Sequence, residues 1–422
     1  MKTIRFFFLP LLVVSFIEAV LPEGTLYLKN LDPNETKGLL TVSSYPPSLK
    51  RSSFPEGSIQ IMQADVGKRG YEITAPGIYY LGENIRFSTT SSTMDAITIK
   101  ASNVTLDLNG YRIKQIHPKK NNSGICVSSN LDTVTVINGF IENFGALGIR
   151  VLGGSSNLSF ASLSILRCGE EATSACLNRL EDSQCFAGGI AFEGTTGDNG
   201  SVGVTKVRIQ DVFIRLPNLS GKKVTGSPLP VIVAGIAGTF ITSMSLTNIG
   251  IHFSLSTSRD TALEGNSDDG VSILCNGICL RSCSLVEIES FDSLVDSNWL
   301  FPVTSLYCDN LFNSSLKDAR MTFPIDSEGF DFLLNQPAYL VGPLKKESFG
   351  MFSARSSGIP ARGVYVTNCG NFLFENVSAV RSSAFEIRES TIKEFFIKSE
   401  LITATKVSCI DKAKEIASRQ WY

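Results

Sequence analysis

Along much of the chain, apolar positions recur in one unit: apolar, any, apolar, any, small polar, apolar, any, apolar. It reads Val134-Thr-Val-Ile-Asn-Gly-Phe-Ile141, Leu158-Ser-Phe-Ala-Ser-Leu-Ser-Ile165, Val207-Arg-Ile-Gln-Asp-Val-Phe-Ile214 and Met244-Ser-Leu-Thr-Asn-Ile-Gly-Ile251. Ile278-Cys-Leu-Arg-Ser-Cys-Ser-Leu285 and Phe372-Leu-Phe-Glu-Asn-Val-Ser-Ala379 follow the same pattern. The period of two predicts strands with one buried face. Apolar residues three apart would point to opposite faces of a straight strand. A sharp one-residue bend at the fifth position returns both to one interior. Asn138, Ser162, Asp211, Asn248, Ser282 and Asn376 stand there, and Asn and Asp tolerate the left-handed backbone such a bend requires.

A second signal, Gly before a β-branched residue, precedes most copies: Gly124-Ile125, Gly148-Ile149, Gly189-Ile190, Gly235-Ile236, Gly270-Val271 and Gly363-Val364. It predicts a third strand per coil. The coil is near 24 residues, since 148 − 124 = 24 between glycines and 162 − 138 = 24 between corners. Longer gaps, such as 211 − 162 = 49, hold either a second coil or an inserted loop. Tandem units of this kind specify an all-β solenoid that grows by adding coils. At this point the chain resembles the right-handed parallel β-helix proteins of the pectin-lyase-like class, in which corner asparagines stack. The resemblance covers roughly Ile73 to Val407.

Around that core, residues 1–19 read as a signal peptide: Lys2 and Arg5 precede an apolar run, and Ala19 offers a cleavage point. The run is shorter than the ~20 residues a spanning helix needs. Residues 20–72 read as an N-terminal leader and cap, and 73–407 as the parallel β-helix. The pattern is lost between Glu287 and Arg362, which reads as a long insertion, 287–362. Residues 408–422 read as a short C-terminal capping helix, with capping-box-like spacing at Ser408 and Asp411.

Composition narrows the partners. A net charge of −2 and the lack of a long basic run exclude nucleic acid as the main partner. Ten cysteines fit an oxidising compartment, with Cys168, Cys176 and Cys185 in one surface-loop-like segment. Cys275, Cys279 and Cys283 are spaced so as to share one strand face as small buried hydrophobes. With only His117 and His252 in the chain, zinc has few ligands. Sequons occur at Asn34, Asn103, Asn121, Asn157, Asn199, Asn218, Asn313 and Asn376. A glycan on Asn376 would clash with the corner ladder.

The catalytic candidates are Asp268 and Asp269, in Asn266-Ser-Asp-Asp-Gly-Val-Ser-Ile273. The segment resembles the paired-aspartate motif of polygalacturonase-type glycoside hydrolases, which implies that one of the pair protonates the leaving oxygen while other carboxylates activate water. Asp260 and Glu264 lie nearby as helpers. The chain has no upstream Asn-Thr-Asp, no downstream Gly-His-Gly and no histidine after His252. Ser-Asp-Asp-Gly is also ordinary turn composition. Lyases of the same fold class use acidic residues to hold calcium and an arginine base; Arg355, Arg362 and Arg381 are present without a matching motif. Asp107, Asp132 and Asp211 offer oxygen ligands for calcium as a cofactor, although Asp107 and Asp211 also read as strand ends and corners.

The sequence thus leads to a secreted, periplasmic or cell-surface β-helix without turnover: a carbohydrate-binding, adhesin-like or structural protein whose partner is a polysaccharide or surface glycan. The alternative is a hydrolase or lyase acting on acidic glycans. No membrane span is expected once the signal is removed.

Overall fold

A computed structural model of the protein describes residues 53–91, 94–117, 122–169, 185–197, 200–216, 231–254, 273–295, 303–322, 361–380, 385–388, 391–399, 402–405 and 408–409. All belong to one unit of the chain, Ser44–Tyr422. The described residues form two long parallel sheets and one small hairpin. The larger sheet takes its strands in chain order from Ile59–Ile61 to Ser408–Cys409, and the second from Tyr71–Ile73 to Ile402–Thr405. Each coil gives one strand to each sheet and pairs with the coils before and after it. Ile125 lies beside Ile149, Ile149 beside Ile190, and Ile190 beside Ile236. The protein is a parallel β-helix.

Strands of the larger sheet bend at the predicted corner. Ile137 pairs with Ala161 and Gly139 with Leu163, so Asn138 sits beside Ser162. Asp211 and Asn248 continue the row. All four hold φ between 53° and 59°, the left-handed region that Asn and Asp accept most readily. Asn248 Nδ2 donates to Asp211 Oδ1 at 2.7 Å, and Asn138 Nδ2 donates to Asp107 Oδ2 at 3.2 Å. The bend divides the larger sheet into a first and a second face; the second sheet forms the third. A further left-handed row, including Asn103, Thr133, Asn157, Ser243, Asn313 and Asn371, marks the edge where the third face returns to the first.

The interior is filled by one apolar cluster drawn from all three faces, including Val134, Ile165, Ile214, Ile251, Ile236 and Phe374. Glycine is needed where the third face meets the second. A Cβ at Gly189 would stand 2.2 Å from Gly235 O and 2.8 Å from Ile214 Cδ1; one at Gly235 would meet Ile251 Cδ1 at 2.5 Å. The Gly row therefore exists because isoleucines of the second face occupy the space a side chain would need.

Several expectations are corrected. The next member of the Gly row is Gly277-Ile278, with Ile278 beside Ile236; Gly270-Val271 lies outside the described residues. Ile278–Arg281 therefore belongs to the third face, and Ser282 forms the turn after it rather than the predicted corner. The corner of that coil is Ser290, between Glu289 and Phe291, which pair with Thr247 and Ile249. The segment 287–362 is not one insertion: Ser284–Val295, Val303–Asp309 and Phe312–Thr322 are regular strands within the sheets. Asp318 is the corner of a further coil, since Lys317 pairs with Glu375 and Ala319 with Val377; the same register places Asn376 in the corner row.

Cys275 and Cys283 point into the interior, whereas Cys279 joins an apolar cluster on the outside of the third face. The extra inward residue at Gly277-Ile278 reverses the alternation between Cys275 and Cys279. Among the described residues the solenoid already includes Ile59–Ile61, paired with Gly77–Leu81, ahead of residue 73. A short helix, Gln63–Val66, follows, with Met62 N–H bonded to Asp65 Oδ2 at 2.8 Å. Ser408–Cys409 is a strand paired with Thr391–Ser399 rather than the start of a helix. Residues 1–52 and 410–422, with the expected signal peptide and the rest of the capping helix, lie outside the described residues. No described helix is long and apolar enough to cross a membrane.

Candidate functional site

Connection lengths differ sharply between the three edges of the solenoid. The first face meets the second at a single residue. The third returns to the first within a few residues, as from Thr239 to Ile241 and from Arg281 to Ser284, apart from the hairpin Thr195–Gly197 with Gly200–Val202. The long connections all run from the second face to the third: after Leu166, Leu216, Phe253, Val295 and Thr322 the next larger strand begins at Cys185, Val231, Ile273, Val303 and Ala361. This also resolves the 49-residue corner spacing. The strand Ser156–Leu166 pairs directly with Val204–Leu216, so no second coil intervenes. Loops carried by a rigid scaffold are where binding groups concentrate.

Asp268 and Asp269, with Asp260 and Glu264, belong to the connection after Phe253 and lie outside the described residues. Arg355 and Arg381 also lie outside the described residues. Arg362 is the second residue of the third-face strand Ala361–Thr367.

On the second face, outward positions can be followed coil by coil. One row runs Phe213, Gly250, Asp292, Arg320. The adjacent row runs Arg215, His252, Leu294. Alternation puts these side chains outside because their neighbours Val212, Ile214, Ile249, Ile251 and Phe291 fill the core. Gly250 places no side chain between Phe213 and Asp292. The row from Phe213 to Arg320 spans three strand steps, roughly 14 Å.

Asp292 is the unusual group here. Burial pushes its carboxyl up to about 6, against the lowering field of Arg320. The two side chains lie side by side in register, yet among the described residues neither makes a hydrogen bond or an ion pair. Arg215 directs Nε and Nη2 to Ser254 Oγ at 3.0 and 2.6 Å and remains exposed. Nearer the N-terminal end the face is closed by paired charges. Glu142 forms ion pairs with Arg112 at 2.8 Å and with Lys114 at 3.0 Å, accepting a hydrogen bond from Lys114, and Arg112 lies 5.3 Å from the Phe140 ring centroid. Away from those pairs the face presents the Arg320 guanidinium beside a carboxyl that retains its proton until near pH 6, with Arg215 two coils from Asp292 in the adjacent row.

The proposed calcium ligands do not converge. Asp107 is buried, accepts the Asn109 N–H at 2.6 Å and the Asn138 amide, and is raised by burial. Asp211 serves the corner row through Asn248. Asp132 is exposed and lowered by donors from Ser156, Asn157 and Thr133. Each is occupied by a hydroxyl or amide of its own or the next coil. Among the described residues, no group of three His, Cys, Asp or Glu side chains has metal-binding geometry. Cys126, Cys168, Cys279 and Cys369 carry buried thiols pushed up to about 12, so they are packing groups rather than nucleophiles.

No protein-family model matches the chain. No curated protein matches it either. Among solved structures, the A-module of a mannuronan C-5 epimerase from Azotobacter vinelandii aligns over 79% of this chain and 87% of its own, at 10% identity and a TM-score of 0.30. At that identity and score the likeness bears on neither substrate nor chemistry, and the fold rests on the strand ladders themselves.

Proposed function

We propose that the protein is a secreted or envelope-associated β-helix that binds an extended acidic polysaccharide along its second face. The observation that carries this reading is the outward row of Asp292 and Arg320, with Arg215 in the adjacent row two coils from Asp292. Two guanidinium groups face outward there, and the neighbouring carboxyl is at least partly protonated below about pH 6. Guanidinium groups suit carboxylate recognition because their donors match both carboxylate oxygens. Phe213 supplies an apolar surface at one end of the row.

A hydrolase or lyase is the second reading, favoured by the same Asp292. A carboxyl that holds its proton near 6 has the properties of a general acid, and Asp268 and Asp269 remain acid candidates in the connection that leaves this face after Phe253. The test uses the full chain in affinity electrophoresis against polygalacturonate and a neutral glucan, with reducing ends and unsaturated products followed in parallel. Retardation by polygalacturonate alone supports binding. Product release that disappears in Asp292→Asn, Asp268→Asn or Asp269→Asn supports the enzyme. No retardation by polygalacturonate and no product would sink both.

A further inference from the structure

The edge between the third and first faces carries a second feature, remote in the coil from the second face. Its left-handed row is polar in most coils, with Ser243 and Asn313 on either side of the strand Ser284–Val295. Between them stands Leu285, at φ 56° and 51% exposed. Bulky apolar residues rarely adopt that conformation, and here the side chain points to water. Phe312, in the next coil and paired with Ser284, is 48% exposed. Its ring is held by the following coil: a Cβ on Gly370 would come within 2.7 Å of Phe312 Cδ1 and 3.0 Å of Cε1. Glycine is therefore what lets the ring rest there.

Beside the ring, Asn371 Nδ2 donates to Asn313 Oδ1 at 2.7 Å. Asn313 keeps its amide hydrogens, and Asn371 its Oδ1, without another protein partner among the described residues. A fixed aromatic ring next to one amide donor and one amide acceptor is complementary to a sugar ring, which has an apolar C–H face and vicinal hydroxyls at its rim. The side chains flanking the ring, Ser284, Asn313 and Asn371, are uncharged. A protein partner needs about 800 Å² on each side, far more than two apolar side chains provide.

We infer that Phe312, Leu285 and the Asn313–Asn371 pair form a subsite for a neutral pyranose, stacked on the ring by its C–H face and hydrogen-bonded by its hydroxyls. The subsite goes beyond the second-face reading and does not depend on it. The test is saturation-transfer NMR on the full chain with cellohexaose as the probe. The host should lack N-glycosylation, because Asn313-Ser-Ser315 is a sequon. Transfer to the sugar ring protons is expected. Phe312→Ala weakens binding about tenfold, the scale of an aromatic stacking contact, while Phe312→Tyr retains it. Asn313→Ala costs about threefold. Leu285→Asn, which installs a residue suited to the left-handed backbone, also weakens binding and keeps the fold independent of the Phe312 variants. Arg320→Ala leaves cellohexaose binding unchanged and so separates this site from the second face. Absence of transfer in the native protein, or equal transfer in Phe312→Ala, would overturn the inference.

Discussion

The outer surfaces of the second and third faces flank the same edge, and both carry charge, but they treat it in opposite ways. On the third face the outward row is buried: Ala237, Cys279, Tyr307 and Tyr365 belong to an apolar cluster separate from the interior, and the two tyrosine rings stack at 5.4 Å. Charged side chains described there form pairs. Arg150 donates Nε and Nη2 to Glu193 Oε2 at 3.1 and 2.7 Å, and Asp309 receives Arg281 at 3.3 Å and the Asn368 amide at 3.0 Å. On the second face Asp292 and Arg320 stand in register without pairing. Paired, buried charges serve structure, whereas a desolvated carboxyl beside an unengaged guanidinium is available to a ligand.

Stability should divide the two faces most strongly at their aromatic residues. Tyr307→Ala removes a buried, stacked ring and should cost about 3 to 4 kcal/mol in chemical denaturation. Phe213→Ala, half-exposed on the second face, should cost less than about 1 kcal/mol. Equal losses would mean that the third-face cluster is not packed as described. Arg150→Ala comes next, since it takes the guanidinium from Glu193, whose carboxyl burial already raises. A loss of about 2 kcal/mol is expected, reduced from the fully buried case because the pair keeps some solvent contact. The loss should shrink in acid as Glu193 takes up a proton.

Asp292→Asn should act in the other direction. Burial raises the folded carboxyl to about 6, above the ordinary aspartate value of about 4, so the folded state binds the proton more tightly. This group therefore lowers stability as pH rises from about 4 to 6, and its full cost is present above that window. The variant should be more stable than the native protein by up to about 2 kcal/mol at pH 8 and indistinguishable below pH 4. Matching pH profiles for the two proteins would remove the assignment. The smallest stability change belongs to Arg320→Ala below pH 4, within about 0.5 kcal/mol, because Asp292 is then neutral and the side chain makes no bond to lose.

The fold was legible wherever interior positions are apolar. The corner row Asn138, Ser162, Asp211 and Asn248 and the Gly row up to Gly235 could both be read from spacing, because each follows from a steric requirement of the coil. The reading failed at 284–322 for a physical reason. There the interior admits polar residues: Ser293 stands where other coils carry Ile214 and Ile251, and its hydroxyl meets that of Ser305 at 2.8 Å. Ser314 replaces an apolar residue and accepts the Val286 N–H at 3.2 Å. Hydroxyls that satisfy one another inside the solenoid erase the apolar period that a strand is recognised by.

Taking 287–362 as an insertion also hid Asp292 and Arg320, which are functional candidates only once their strands are placed side by side. The outward position of Asp292 next to inward Phe291 was the available signal. The sequons Asn103, Asn157 and Asn313 have a structural origin as well: a corner residue at positive φ is followed two positions later by Thr105, Ser159 or Ser315 on the first face.

The most direct test of acidic-polysaccharide binding on the second face is calorimetric titration of the full chain with a polygalacturonate oligomer at pH 5, comparing the native protein with Arg215→Ala/Arg320→Ala. Binding that weakens with added salt and falls at least about tenfold in the double variant is the predicted result. Affinity unchanged by removing both guanidinium groups would contradict it.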